Sequence, residues 1–184
     1  MIRVLVADDH ALIRDGFRKL IEEEDDMVMT GEASTAHEAL ELLRGGQVDV
    51  MILDISLPDK NGIEVLKDIK AEEIKTSVLM LSMYPEMQYA RRTLRNGAAG
   101  YLTKDAPSET ILEAVRTIYK KGSYITDAVA EQLYKQINEH GGSLSHEQLS
   151  DLEYQILLLI GRGGTIRSIS EELGLSVNTI NSYR

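Results

Sequence analysis

The chain has 184 residues, with 30 acidic and 20 basic side chains, a formal net charge of −10 and no cysteine. That length is one large domain or two small ones, and the lack of thiols excludes a disulfide framework or a cysteine-ligated zinc or iron–sulfur centre. The longest apolar run, Ile156 to Ile160, falls far short of the ~20 residues that cross a bilayer. Val4–Ala7 runs straight into Asp8–Asp9 rather than into a cleavage region, so a soluble, cytoplasmic protein without membrane attachment is expected.

In chain order, five β-rich apolar runs come first: Ile2–Ala7, Met27–Glu32, Val48–Leu53, Ser77–Ser82 and Ala98–Leu102. Between them lie segments with apolar residues at helical spacing, such as Leu12, Phe17, Leu20 and Ile21, or Ile63, Leu66 and Ile69. This alternation predicts an α/β domain in which a parallel sheet is covered by helices on both faces. The runs at 48–53 and 77–81 are nearly continuous, as strands buried on both faces require.

The pattern changes after Lys120–Lys121–Gly122. Ile125, Val129, Leu133 and Ile137 predict one amphipathic helix, which Gly141–Gly142–Ser143 ends. Leu149, Leu152, Ile156, Leu157 and Ile160 predict a second helix, and Ile166, Ile169 and Leu173 a third that stops at Gly174. Ser176 caps a last stretch holding Val177, Ile180 and Tyr183. Short helices joined by a tight glycine turn make a helix-turn-helix pattern. The last stretch has about 8 residues, so this part is expected to be incomplete at Arg184. The domains are therefore read as 1–122, a linker helix and loop at 123–143, and a small all-α unit at 144–184.

Asp8 and Asp9 end the first run, and Asp54 ends the third. Ligands of open parallel sheets bind beyond the carboxyl ends of the strands, and adjacent strands lie about 4.8 Å apart. If the first and third strands are neighbours, three carboxylates crowd together and call for a cation. With hard oxygen donors only, that cation is Mg2+. Lys104, just past the fifth run, and Ser82, ending the fourth, would add an ammonium and a hydroxyl. Metal, ammonium and hydroxyl together suit a phosphoryl group, and an aspartate in such a site can itself become phosphorylated. Each residue also has an ordinary use: Asp–Asp as a helix cap, Lys104 as a solvated charge, Ser82 as a turn residue. It is their joint placement at four strand ends that points to function. The four histidines, at 10, 37, 140 and 146, show no metal-ligand spacing; His10 could be a phosphate carrier or a base, but is read as a first-turn residue of the following helix.

The chain resembles two-component response regulators of the NarL/FixJ class, a receiver domain followed by a LuxR-type helix-turn-helix. The resemblance rests on Val6–Ala7–Asp8–Asp9–His10, on Asp54–Ile55–Ser56–Leu57–Pro58–Asp59–Lys60–Asn61–Gly62, on Leu79–Met80–Leu81–Ser82 and on Gly97–Ala98–Ala99–Gly100–Tyr101–Leu102–Thr103–Lys104–Asp105–Ala106. Glu171–Glu172–Leu173–Gly174–Leu175–Ser176 and Thr179–Ile180 carry the match on the LuxR side.

The resemblance implies a flavodoxin-like fold with strand order 2-1-3-4-5 and a non-enzymatic regulator. It implies Asp54 as acceptor of a phosphoryl group from a sensor histidine kinase. Asp9, Asp54 and the Ser56 carbonyl would ligate Mg2+, with Asp8 acting through a water. Lys104 would pair with phosphoryl oxygens. Ser82 and Tyr101 would form a switch couple in which Tyr101 is drawn inward when Ser82 moves to the phosphoryl group. A phosphorylation-promoted homodimer binding double-stranded DNA through Thr179, Asn181, Ser182 and Arg184 follows. Where many receivers carry Asn the chain has Ser56, and where LuxR-type recognition helices commonly carry lysine it has Asn181. Tyr84 is expected to screen an acyl phosphate from water.

Two other readings compete. Haloacid-dehalogenase-like phosphatases also form an aspartyl phosphate, but they need an aspartate two residues after the nucleophile; here that position is Ser56, and the candidate nucleophile lies on the third strand rather than the first. An output through protein–protein contact rather than DNA is the other. Residues 1–122 carry 16 basic and 22 acidic side chains, a net of −6, and residues 123–184 carry 4 and 8, a net of −4, so neither part shows the basic patch of a nucleic-acid binder. The helix-turn-helix pattern favours DNA.

Overall fold

All five expected strands form in the computed structural model, which describes residues 1–130, the side chains of 87 and 88 aside, together with 169, 170 and 173. The elements run β1 (Ile2–Ala7), α1 (Ala11–Glu22), β2 (Met27–Ala33), α2 (Ala36–Gly45), β3 (Val50–Asp54), α3 (Gly62–Ala71), β4 (Ser77–Ser82), α4 (Glu86–Arg95), β5 (Gly100–Thr103) and α5 (Ser108–Lys121). The strands form one parallel sheet in the order β2-β1-β3-β4-β5, the flavodoxin-like arrangement. The chain divides into two compact units, Met1–Lys135 and Gln136–Arg184.

Burial follows each strand's place in the sheet. Every residue of β3 is buried, and in β4 only Ser77 is partly exposed, because helices cover both faces. β2, at the edge, alternates and leaves Val28 exposed. Val4, Val6, Ile52, Leu79 and Leu81 form one face of the central strands and pack with Phe17, Ile21, Leu112 and Ile118 from α1 and α5. β3 begins two residues later than its apolar run predicted, because Asp49 turns its carboxylate onto the backbone N–H and guanidinium of Arg3. β5 likewise lies later, at Gly100–Thr103.

Local signals set the helix starts. Thr35 accepts from the Glu38 N–H, and the Glu38 carboxylate accepts from the Ser34 N–H and hydroxyl, a capping box at α2. Asn61 caps α3 through the Ile63 N–H. After α5, Tyr124 pairs with Gly100 alongside β5, and Thr126 starts a helical turn over 127–130. Of the later predicted helices, only Ile169, Ser170 and Leu173 are described, all helical; the remainder lies outside the described residues.

Candidate functional site

Strand order brings the carboxylates together. β1 and β3 are hydrogen-bonded neighbours, with Ala7 opposite Leu53, so the residues just after Ala7 and at the end of β3 share one rim. There the chain reverses direction in strand order, at the crevice where ligands of doubly wound sheets bind. One donor atom from each of Asp8, Asp9, His10 and Asp54 lies within 4.8 Å of the others.

Lys104 reaches the same point because its backbone N–H extends the β4–β5 ladder by donating to the Ser82 carbonyl at 2.8 Å. Its ammonium donates to Asp54 Oδ2 at 2.7 Å and lies 2.7 Å from Asp8 Oδ2. All three side chains are at least nine-tenths buried. Burial alone would lower the Lys104 pKa, but the hydrogen bonds to Asp54 and Asp8 outweigh it and hold the ammonium above the ordinary lysine value. Burial pushes the Asp54 pKa up, against the pull of Lys104.

Asp54 Oδ1 is buried without a hydrogen-bond partner among the described residues. Such an atom is costly unless something else uses it. Three carboxylates against one ammonium leave a formal charge of −2, which one divalent cation balances. Donor chemistry and charge therefore both fit Mg2+.

The 55–62 loop keeps Asp54 in place. Ser56 pairs with Asn61 across it, and the Gly62 N–H donates to the Ile55 carbonyl at 2.8 Å. A Cβ on Gly62 would lie 2.4 Å from the Asp54 carbonyl oxygen, so only glycine permits this approach. Ser56 itself is exposed at the rim. Asp59 leaves the loop to accept from the N–H groups of Ala36 and His37 at the start of α2. Arg14 donates to the Asp8 carbonyl at 2.6 Å, fixing the β1 turn.

Ser82 and Tyr101 are both buried beside this cluster. The Ser82 Oγ accepts from the Tyr84 N–H at 3.2 Å, and the Tyr101 hydroxyl donates to the Tyr84 carbonyl at 2.7 Å. Burial holds the Tyr101 phenol well above the ordinary tyrosine pKa. Tyr101 thus already occupies the inward position that the switch expectation kept for the phosphorylated state. Tyr84 turns its ring onto Tyr89 of α4, with centroids 4.7 Å apart.

His10 differs from its reading as a plain first-turn residue. It stands at the N-cap of α1 in extended conformation, without capping through its side chain. Its Nδ1 lies 2.6 Å from Asp9 Oδ1 and 3.2 Å from Asp8 Oδ1. Histidine spacing carried no signal for this, since the partners are its immediate neighbours. Thr179, Asn181, Ser182 and Arg184 lie outside the described residues.

Comparison with known proteins agrees with this geometry. Residues 4–116 match the response regulator receiver domain family. The response regulator UvrY of Escherichia coli K12 is 36% identical over 185 residues, spanning 100% of this chain and 85% of that protein. A two-component response regulator of the LuxR family from Aurantimonas sp. SI85-9A1 superposes with a TM-score of 0.67 at 28% identity, over 74% of this chain and 98% of that one. RcsB from Salmonella enterica serovar Typhimurium, bound to promoter rprA with the phosphomimetic BeF3-, gives a TM-score of 0.67 at 26% identity, over 100% and 88% of the two chains. Among the described residues, no helix is long and apolar enough to cross a membrane.

Proposed function

Because this chain belongs to the two-component response regulators of the NarL/FixJ class, we propose that it is a cytoplasmic, phosphorylation-dependent transcriptional regulator in which Asp54 takes a phosphoryl group from a sensor histidine kinase. The observation that carries this reading is the uncommitted Oδ1 of Asp54 beside an Oδ2 held by Lys104. A carboxylate held at one oxygen and open at the other is oriented to attack phosphorus. The oxygen–phosphorus bond forms as the phosphorus–nitrogen bond of the phosphohistidine breaks. The electron pair leaves on the imidazole nitrogen, which takes up a proton.

Asp8, Asp9, Asp54 and the Ser56 carbonyl would hold Mg2+, Asp8 through a water, and the ion would neutralise charge on the phosphoryl oxygens. Lys104 then exchanges Asp54 Oδ2 for a phosphoryl oxygen. Ser82 turns its hydroxyl from the Tyr84 N–H to the new acceptor. That releases the Tyr84 N–H in the β4–α4 turn, whose carbonyl accepts from the Tyr101 hydroxyl. The turn leads into Glu86, which accepts from Thr126 Oγ1 at 3.0 Å, so a change there reaches the segment that follows α5.

In this scheme residues 1–122 receive the signal, 123–143 connect, and 144–184 form the DNA-binding helix-turn-helix, with Thr179, Asn181, Ser182 and Arg184 toward the duplex. RcsB was solved on a promoter with a phosphomimetic present; for this chain, phosphorylation followed by dimerisation and DNA binding is proposed, which makes it a switch rather than an enzyme acting on other substrates.

Intact mass after incubation with Mg2+ and a small-molecule phosphodonor tests the reading. Wild type gains one phosphoryl group, and gains none with EDTA or in a folded Asp54→Asn variant. Absence of the gain in folded wild type would overturn it.

A further inference from the structure

The Asp8–Asp9 peptide unit carries both aspartates of the first strand end, and the side chain of Arg14 holds it. Arg14 lies in the first turn of α1, where long side chains lean back toward the helix N-terminus. Its Nη1 donates to the Asp8 carbonyl at 2.6 Å, and its Nε faces Glu32 Oε2 of β2 at 3.8 Å. Glu32 in turn accepts from Arg18 Nε at 2.6 Å. The Asp8 N–H donates to the Ala33 carbonyl at 3.1 Å, so both backbone groups of Asp8 are tied down. The Arg14 side chain is only 18% exposed. A guanidinium so covered gives up rotamer freedom and hydration that a solvated surface charge keeps.

The two aspartates depend on this peptide differently. The Asp8 carboxylate is fixed at its tip, by the Lys104 ammonium at 2.7 Å and the His10 N–H at 2.9 Å. The Asp9 side chain is 37% exposed and rests against the His10 ring, itself 66% exposed. Its direction therefore follows from its backbone. The Asp8 carbonyl and the Asp9 N–H lie in one rigid plane, so the group that holds the carbonyl also sets where Asp9 starts.

We propose that Arg14 is a positioning residue for phosphoryl uptake: by clamping the Asp8 carbonyl it aims the Asp9 carboxylate at the place where a divalent cation would meet Asp54. A carboxylate grips an ion well only when its own direction is fixed, and losing an outer hold of this kind lowers affinity about 10- to 100-fold. The charge of Arg14 acts the other way. A guanidinium near the cluster repels an arriving cation, although Glu32 offsets part of that charge. Removing Arg14 therefore tightens Mg2+ binding if its charge is what matters, and weakens it if its hold on the peptide is what matters.

The inference rests on the proposed Mg2+-dependent phosphorylation of Asp54. Amide chemical shifts of the full chain, titrated with MgCl2, report the affinity and, in the same spectra, whether each variant is folded. Arg14→Met binds Mg2+ about tenfold more weakly. Arg14→Lys, which keeps the charge and one donor but not the planar fork, binds about threefold more weakly. Arg18→Met leaves the Asp8 carbonyl contact intact and stays within about twofold of wild type. The Mg2+ concentration for half-maximal phosphoryl uptake from a small donor rises in the same order. Unchanged or tighter Mg2+ binding in Arg14→Met overturns the positioning role, as does an equal loss in Arg18→Met. If Arg14→Met does not fold, Arg14→Lys decides: weaker binding upholds the role and wild-type binding overturns it. A wild type that takes up neither Mg2+ nor a phosphoryl group overturns the functional reading itself, and this inference with it.

Discussion

At the N-terminal ends of the strands, charges are matched partner to partner. Arg3 holds Asp49 through two guanidinium nitrogens and reaches Gln47; Arg44 holds Glu72; Arg116 holds Asp26 and Glu24. At the carboxyl ends of the same strands, Asp8 and Asp54 share a single ammonium, Asp9 lies against the His10 ring, and one buried oxygen has no partner among the described residues. Both rims are built from the same residue types on the same scaffold. The paired rim is closed by its own ion pairs; the under-compensated rim is the one to which the proposed cation and phosphoryl group are assigned.

Removing Lys104 breaks this contrast hardest. Lys104→Ala leaves two buried carboxylates without their counter-charge, and urea unfolding in EDTA should show a loss of about 3 kcal/mol. Because a ligand that binds only the folded state stabilises it, millimolar Mg2+ should recover part of that loss. Equal losses with and without Mg2+ would place the cation elsewhere.

Gly62→Ala tests whether the loop, rather than the charges, sets the geometry. Its Cβ would meet the Asp54 carbonyl at 2.4 Å, so the backbone must shift, at a cost of about 2 kcal/mol. Phosphoryl uptake from a small donor should slow, since Asp54 moves with its carbonyl. An unchanged uptake rate would mean the loop gives way without moving Asp54.

The smallest effect belongs to the paired rim. The Arg3 hydrogen bond holds the Asp49 carboxyl below the ordinary aspartate value. Its contribution is therefore complete above the unfolded-state pKa and is lost as pH falls through the folded-state one. Asp49→Asn should flatten the decline of the urea midpoint between about pH 6 and about pH 3, with phosphoryl uptake at neutral pH unchanged. A variant that declines as steeply as wild type would refute the link.

Legibility differed by element in the same way. The five strands were readable because runs such as Val78–Leu81 are apolar on both faces, and only a double-covered sheet can bury them. Asp8, Asp9, Asp54, Ser82 and Lys104 were readable as strand-end residues. Their convergence was not a property of spacing: it needed β1 beside β3, which the resemblance supplied and the pairing of Ala7 with Leu53 now shows. His10 was misread because its direction depends on one extended backbone residue ahead of α1. Asp59 capping α2 from across the fold had no local signature.

The amino-acid sequence alone determined where the chain is apolar enough to form strands, where helices start, and which polar residues stand at the strand ends, because those depend on neighbours a few positions away. The tertiary structure decided which ends meet, that Tyr101 lies inward on the Tyr84 carbonyl, that Gly62 must have no side chain, and that His10 faces Asp9. Those outcomes depend on groups brought within about 3 Å by the packing of remote segments, where hydrogen bonding and burial rather than local propensity set the energy.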